Sequence, residues 1–289
     1  MQQLISLYEK SVEENLKDIR SVLEQLGMLN PELEKTYEQV LTMTSQNITG
    51  KWQAGRKYAR TYFSKKAFSK YYPEEYLKLS LCIDAMVNIL DDIYDENMNK
   101  ETRGLYLVEF LRISSLYNLN KLTKNIQAAV GHYFNQLITL AVAEGVYFKM
   151  IENEKELDKM VKLSADLLLC RAQDIDIFNE IALINCKESE KEKIKTIGRI
   201  FRAINILKKD VADIEYDKSN NMISVVTHMS DRMDVKFSEY LKELTNYLLE
   251  KAIQEKSLLK DSNDKIKIPT DNFILMMKEN IVEIENYLK

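Results

Sequence analysis

Leu77-Lys78-Leu79-Ser80-Leu81-Cys82-Ile83-Asp84-Ala85-Met86-Val87-Asn88-Ile89-Leu90-Asp91-Asp92-Ile93-Tyr94-Asp95 is the stretch on which the fold turns. It is mainly apolar as far as Leu90 and then abruptly acidic. At about 100° per residue, a helix places Asp91 and Asp95 on one face with Asp92 beside them. Asp84 lies two turns earlier on the same face. A second stretch has the same form: 197–207 is mainly apolar, and Lys209-Asp210-Val211-Ala212-Asp213-Ile214-Glu215-Tyr216-Asp217 follows it. Asp210, Asp213 and Asp217 share a helix face. Carboxylates beside core-forming sequence carry a desolvation cost, and stacked like charges repel. Hard divalent cations offset both, and they prefer oxygen ligands. Two such clusters facing each other across a helical bundle would hold Mg²⁺ and, through it, a diphosphate. The plainer alternative is a solvated acidic face at each helix end. Glu96 and Glu215 read as bystanders.

The rest of the chain supports a helical frame. Only 7 Gly and 3 Pro occur in 289 residues, with 45% hydrophobic and 30% charged residues, so breakers are few and core material is ample. Helical periodicity runs almost end to end. It breaks near 27–31, 47–50, 72–73, 97–103, 116–121, 186–190, 219–223 and 261–269. Pro73-Glu74-Glu75 reads as a helix start, and Pro269-Thr270-Asp271 reads as the start of the last helix. No linker and no internal repeat divides the chain. The expectation is therefore an all-α, single-domain antiparallel bundle spanning 1–289, with roughly nine to ten or more helices. The amphipathic C-terminal stretches, 231–260 and 270–289, would cover the bundle or form a dimer contact.

Charge and composition narrow the function. A formal charge of −4 gives no electrostatic case for nucleic acid. No apolar run is long enough to span a bilayer, and the N-terminus lacks the pattern of a signal peptide. Cys82, Cys170 and Cys186 are odd in number and far apart, which fits a reducing cytoplasm. His132 and His228 have no carboxylate beside them in sequence, so zinc chemistry is not expected. A basic segment, Gly55-Arg56-Lys57-Tyr58-Ala59-Arg60, precedes the first acidic cluster. A compact cationic group after a glycine can clasp a diphosphate. Arg103, after Lys100, is placed to reach one as well.

With these elements in order, the chain resembles the all-trans isoprenyl diphosphate synthases (polyprenyl synthetases) of the class I isoprenoid synthase superfamily. The likeness covers a little over half the chain and rests on short motifs. Asp91-Asp92-Ile93-Tyr94-Asp95 looks like the family's first aspartate-rich motif, which binds Mg²⁺ and the allylic diphosphate. Gly55-x-Lys57-x-x-Arg60 looks like its isopentenyl diphosphate motif. Ala172-Gln173-Asp174-Ile175-Asp176 is similar to its Gly-Gln-x-x-Asp segment, with alanine for glycine. Lys195-Thr196 looks like its diphosphate-binding Lys-Thr pair. Gly198-Arg199 through Asp210, Asp213 and Asp217 resembles the helix leading into the second aspartate-rich motif. The last two matches compete, because the family usually places a further helix where this chain has only 197–209.

The resemblance implies an isoprenoid synthase fold with a central active-site cavity, and an Mg²⁺-dependent condensation of an allylic prenyl diphosphate with isopentenyl diphosphate. Asp91, Asp92, Asp95, Asp210 and Asp213 would be catalytic. Asp91, Asp95, Asp213 and Asp217 would hold metal. Lys57, Arg60, Lys100, Arg103, Gln173, Lys195 and Lys209 would bind diphosphate. The residue one turn before Asp91 forms the upper floor of the family's product tunnel. Met86 and Val87 stand where short-chain enzymes carry aromatics, and neither blocks as firmly as Phe, so a product of roughly C20 or longer is expected. A homodimer is implied, with a partner subunit as an alternative.

The chain also departs from the pattern. Lys209 replaces a metal-binding aspartate at the head of the second motif, as a fixed charge in place of one Mg²⁺ or as a brake on activity. The usual arginine pair is reduced to Lys100 and Arg103, and Lys218-Ser219-Asn220-Asn221 replaces a glycine–lysine segment. Two rivals therefore stand. A class I terpene cyclase would need one allylic diphosphate, with Trp52, Tyr58, Tyr62, Phe63 and Tyr94 lining its pocket. A degenerate, non-catalytic synthase-like subunit would bind without turnover.

Overall fold

Apolar periodicity becomes helix throughout the computed structural model, which describes residues 59–95, 124–184, 186–220, 224–233, 236–259 and 262–287 and scattered positions between 17 and 35. Among the described residues there are about ten helices and no strand. In chain order they are α1 (Ala59–Phe68), α2 (Leu77–Asp95), α3 (Lys124–Asn153), α4 (Leu157–Arg171) and α5 (Asp176–Ala182). Then come α6 (Glu188–Ala212), α7 (Ile214–Ser219), α8 (Val225–Met233), α9 (Phe237–Ser257) and α10 (Asp264–Tyr287). No helix among them is long and apolar enough to cross a membrane. The chain divides into two compact units that interleave along the sequence: Met1–Phe63 with Pro73–Leu122, and Ser64–Tyr72 with Thr123–Lys289.

In the first unit, Pro73 in extended conformation opens a 3₁₀ turn, Glu74–Tyr76, that feeds α2. This agrees with the start read from Pro73 and its two acids. Leu77, Leu79, Leu81, Ile83, Met86 and Val87 of α2 are buried. So are Ser80, Asp84 and Asn88, which recur every four residues and form a polar stripe within the apolar helix.

In the second unit, α6 is the axis. Ile194, Ile197, Ile200, Phe201, Ala203, Ile204 and Leu207 are all fully buried, at the helical period. The helix packs against α4, α5, α8, α9 and α10. Ser64 of α1 donates to the Phe178 carbonyl of α5, Asn272 of α10 donates to the Ala67 carbonyl, and Phe68 meets Phe273 edge to face. Gly198 lets α5 approach α6. A Cβ at this position would collide with the amide of Asn179, which is fully buried, and would stand 3.5 Å from Phe273 Cζ. Gly198→Ala is therefore expected to cost about 1–3 kcal/mol in urea unfolding. In an Asn179→Ala background the obstacle is gone, and the same change should be neutral or favourable, since Ala outranks Gly in a helix interior by about 1 kcal/mol. A neutral Gly198→Ala in the wild-type chain contradicts this packing.

Three boundaries differ from the sequence reading. The last helix starts at Asp264, with Pro269 inside it. Asn263 caps it: Oδ1 accepts the Lys265 amide at 2.9 Å, and its carbonyl accepts Ile266 and Lys267. Pro269 is thus tolerated in the second turn, close to the end where amides lack helical partners. A break at 154–156, not read from the sequence, separates α3 from α4. Glu154 Oε1 accepts the amides of Lys155 and Glu156, while Arg232 of α8 donates to the carbonyls of Ile151, Glu152 and Glu154. Lastly, Asp231 belongs to α8, and the amphipathic stretch expected from 231 begins as a separate helix at Phe237.

Candidate functional site

The first cluster lies in the first unit at the end of α2. The helical backbone carries through Asp91, Asp92 and Asp95, so Asp91 and Asp95 are one turn apart and continue the face of Ser80, Asp84 and Asn88. The side chains of Asp91, Asp92 and Asp95 lie outside the described residues, as do Lys57, Lys100 and Arg103 altogether.

Arg60 is described, and its geometry is specific. Its Nη1 lies 3.0 Å from Asp84 Oδ1 and 3.0 Å from Asn88 Oδ1. Asp84 Oδ2 also accepts the Thr61 amide at 2.8 Å. Arg60 and Asp84 are both buried, Asp84 completely. Burial pushes the Asp84 carboxyl above its ordinary range, against the pull of Arg60 and the Thr61 amide. The cation expected to clasp isopentenyl diphosphate is thus engaged in an internal ion pair. Met86 and Val87, the expected tunnel floor, are buried on the same helix.

The second cluster lies in the second unit, where α6 runs into α7. Asp213 sits in the joint, at φ −96° and ψ 3°. Its amide donates to the Lys209 carbonyl at 3.0 Å, and its own carbonyl accepts the Asp217 amide at 2.8 Å. Helical hydrogen bonding therefore passes through the joint and keeps Asp210, Asp213 and Asp217 on one side. The Asp217 carboxyl is held above its ordinary range by partial burial and then by the charges of Asp210 and Asp213, opposed by Lys209 and Arg171. All five charged groups therefore act on one small region.

Asp210 differs from its neighbours. It is 5% exposed, and its Oδ2 accepts Arg171 Nη1 at 2.8 Å. Arg171 Nε is 3.3 Å from Glu144 of α3. Glu144–Arg171–Asp210 thus ties α3, α4 and α6 together. Arg171 was not read as a site residue, although its sequence carries a signal: a lone cation closing the apolar run Leu167-Leu168-Leu169-Cys170.

Beside Arg171, the chain bends through a 3₁₀ turn, Ala172–Ile175, into α5. Gln173 is half-buried in that turn. Its neighbours are occupied: Arg202 chelates Asp174, with Nη2 to Oδ2 at 2.8 Å, and Arg199 chelates Asp176 through Nε at 2.8 and 2.9 Å. Lys195 pairs with Glu192 at 2.7 Å and with Glu180 at 3.3 Å. Lys195 and Asp210 belong to the same helix. At about 1.5 Å per residue, their 15-residue separation is about 22 Å along the axis. Lys195 therefore serves the far end of α6, away from the carboxylates of the second cluster.

Carboxylate oxygens are the donor chemistry that a hard divalent cation prefers. Asp213 and Asp217 each carry such oxygens, and Asp210 beside them is paired with Arg171. Among the described residues, no group of three or more His, Cys, Asp or Glu side chains is arranged to hold a metal ion. Comparison of the chain with protein-family models, with curated proteins and with solved structures gives no match.

Proposed function

We propose that this chain is a Mg²⁺-dependent prenyltransferase of isoprenoid synthase fold, with its helices enclosing a central active-site cavity. It would condense an allylic prenyl diphosphate with isopentenyl diphosphate to a longer all-trans product. The observation that carries the reading is the second cluster, where Asp210, Asp213 and Asp217 follow an apolar helix at helical spacing. The resemblance of 91–95 to the first aspartate-rich motif supports it.

Asp91, Asp95, Asp213 and Asp217 are the residues that would hold Mg²⁺. Bound magnesium would neutralise charge growing on the departing diphosphate. Lys57, with Arg60 only where its pair with Asp84 opens, would orient isopentenyl diphosphate. As the allylic C1–O bond breaks, the isopentenyl double bond attacks C1, and the proton lost from the adduct passes to the released diphosphate. No protein base is needed, and proximity supplies much of the rate. Met86 and Val87 leave room for a product of roughly C20 or longer. A cytoplasmic homodimer completes the proposal.

The ion pair of Arg60 with Asp84 favours one alternative. It leaves Lys57 as the main candidate at the isopentenyl subsite, which a class I terpene cyclase does not need. The discriminating experiment supplies Mg²⁺ with geranyl, farnesyl or geranylgeranyl diphosphate, each with and without isopentenyl diphosphate, and identifies products by mass. Elongated diphosphates that form only with isopentenyl diphosphate are the expected result. A hydrocarbon or alcohol formed without it establishes the cyclase and overturns the transferase.

A further inference from the structure

We infer that Asp84 is a helix cap supplied from another helix: the carboxylate of α2 receives the start of α1 and holds Arg60 in the same contact. α1 lacks such a group of its own. It has 10 residues and no acid in its first turn. Thr61, Tyr62 and Phe63 near its start have only middling helix propensity, and a helix so short is marginal alone. Thr61 is the third residue of α1, and its amide donates to Asp84 Oδ2 at 2.8 Å. That is the amide a capping side chain takes, and a carboxylate there faces the positive end of the helix dipole. A local cap sits just before its helix, whereas this one lies 23 residues beyond the amide it receives.

The same carboxylate fixes the register of the two helices. Asp84 Oδ1 accepts Arg60 Nη1 at 3.0 Å, and that nitrogen also lies 3.0 Å from Asn88 Oδ1, one turn further along α2. Arg60 therefore spans two successive turns of α2. Sliding α1 by one turn would part Asp84, which is completely buried, from both the guanidinium and the amide. An apolar seam tolerates such slips, whereas a buried polar contact is satisfied in one register. Asp91 lies two turns beyond Asp84 on α2, and Lys57 precedes α1 in the sequence. On the prenyltransferase reading, on which this consequence alone rests, the helix that carries the first aspartate cluster also fixes where α1 begins.

The test is amide exchange of Thr61, followed by nuclear magnetic resonance in the full chain labelled with ¹⁵N-threonine and ¹⁵N-leucine, without substrate. Arg60→Leu with Asp84→Leu removes cation and acceptor together. Its Thr61 amide should exchange at least about tenfold faster than in wild type, while the Leu81 amide within α2 keeps its rate. Arg60→Leu with Asp84→Asn removes both charges but keeps an acceptor, and should restore the protection of Thr61. Wild-type protection of Thr61 in the double-leucine chain, or equal acceleration at Leu81, overturns the inference. If the double-leucine chain fails to fold by circular dichroism, the leucine–asparagine chain decides alone: protection of Thr61 upholds the cap, and its loss overturns it. Exchange is read without turnover, so an inactive chain would sink the prenyltransferase reading and leave this result standing.

Discussion

Asp84→Ala is expected to destabilise the chain by about 3–5 kcal/mol, the range for breaking a buried ion pair from one side. Asp84 is completely buried and accepts from both the Arg60 guanidinium and the Thr61 amide. Its removal leaves a buried guanidinium sharing only Asn88 of the acceptors described above and strands the Thr61 amide. A domain of this size should lose roughly 10 °C in its thermal midpoint. Replacing Arg60 and Asp84 together by Leu should recover most of that stability, because the desolvation cost disappears with both charges. The double variant also separates two roles for Arg60. If the guanidinium binds isopentenyl diphosphate as well, the stable double variant will show a raised KM for that substrate. If Arg60 is purely structural, its KM will match the wild-type value. A single Asp84→Ala chain melting within about 1 °C of wild type would contradict the buried pair.

The second large effect falls on turnover. Asp213→Asn is expected to slow release of diphosphate from the allylic substrate by at least about 100-fold, in line with loss of one group that stabilises transition-state charge. The thermal midpoint, read beside turnover, separates this loss from unfolding, and the backbone bonds of the joint are left intact by the change. Asp217→Asn removes one of three mutually repelling carboxylates. It should match or slightly exceed the wild-type midpoint without Mg²⁺, yet lose activity. Stability gained while activity falls is the signature of charges kept for function. A variant that loses both together would point to a structural role instead.

The frame was legible in the sequence because burial writes a period. Ile197, Ile200, Ile204 and Leu207 recur at helical spacing and are fully buried on α6. The shared helical register of Asp210, Asp213 and Asp217 was legible from their spacing. Elements made by distant partners left no local mark. The 154–156 turn is fixed by Arg232, about eighty positions on, and has neither Gly nor Pro. Asn263 starts the last helix ahead of Pro269, because proline is also tolerated a little inside a helix start. The candidate cations were harder still. Arg60 and Lys195 have the residue type and order that a diphosphate site needs, yet each contacts carboxylates. Arg171 was missed because its role depends on Glu144 and Asp210, brought together only by packing. A motif records which groups are near in sequence, whereas charge partners are chosen in space.

The central claim is that these carboxylates ionise an allylic diphosphate, whichever product follows. The most direct measurement is inorganic pyrophosphate release by the purified chain. It would be supplied in turn with geranyl, farnesyl and geranylgeranyl diphosphate, with isopentenyl diphosphate present and absent. Release that requires Mg²⁺, stops with a chelator and collapses in Asp213→Asn is the expected result. No release from any of the three substrates in either condition would contradict the account.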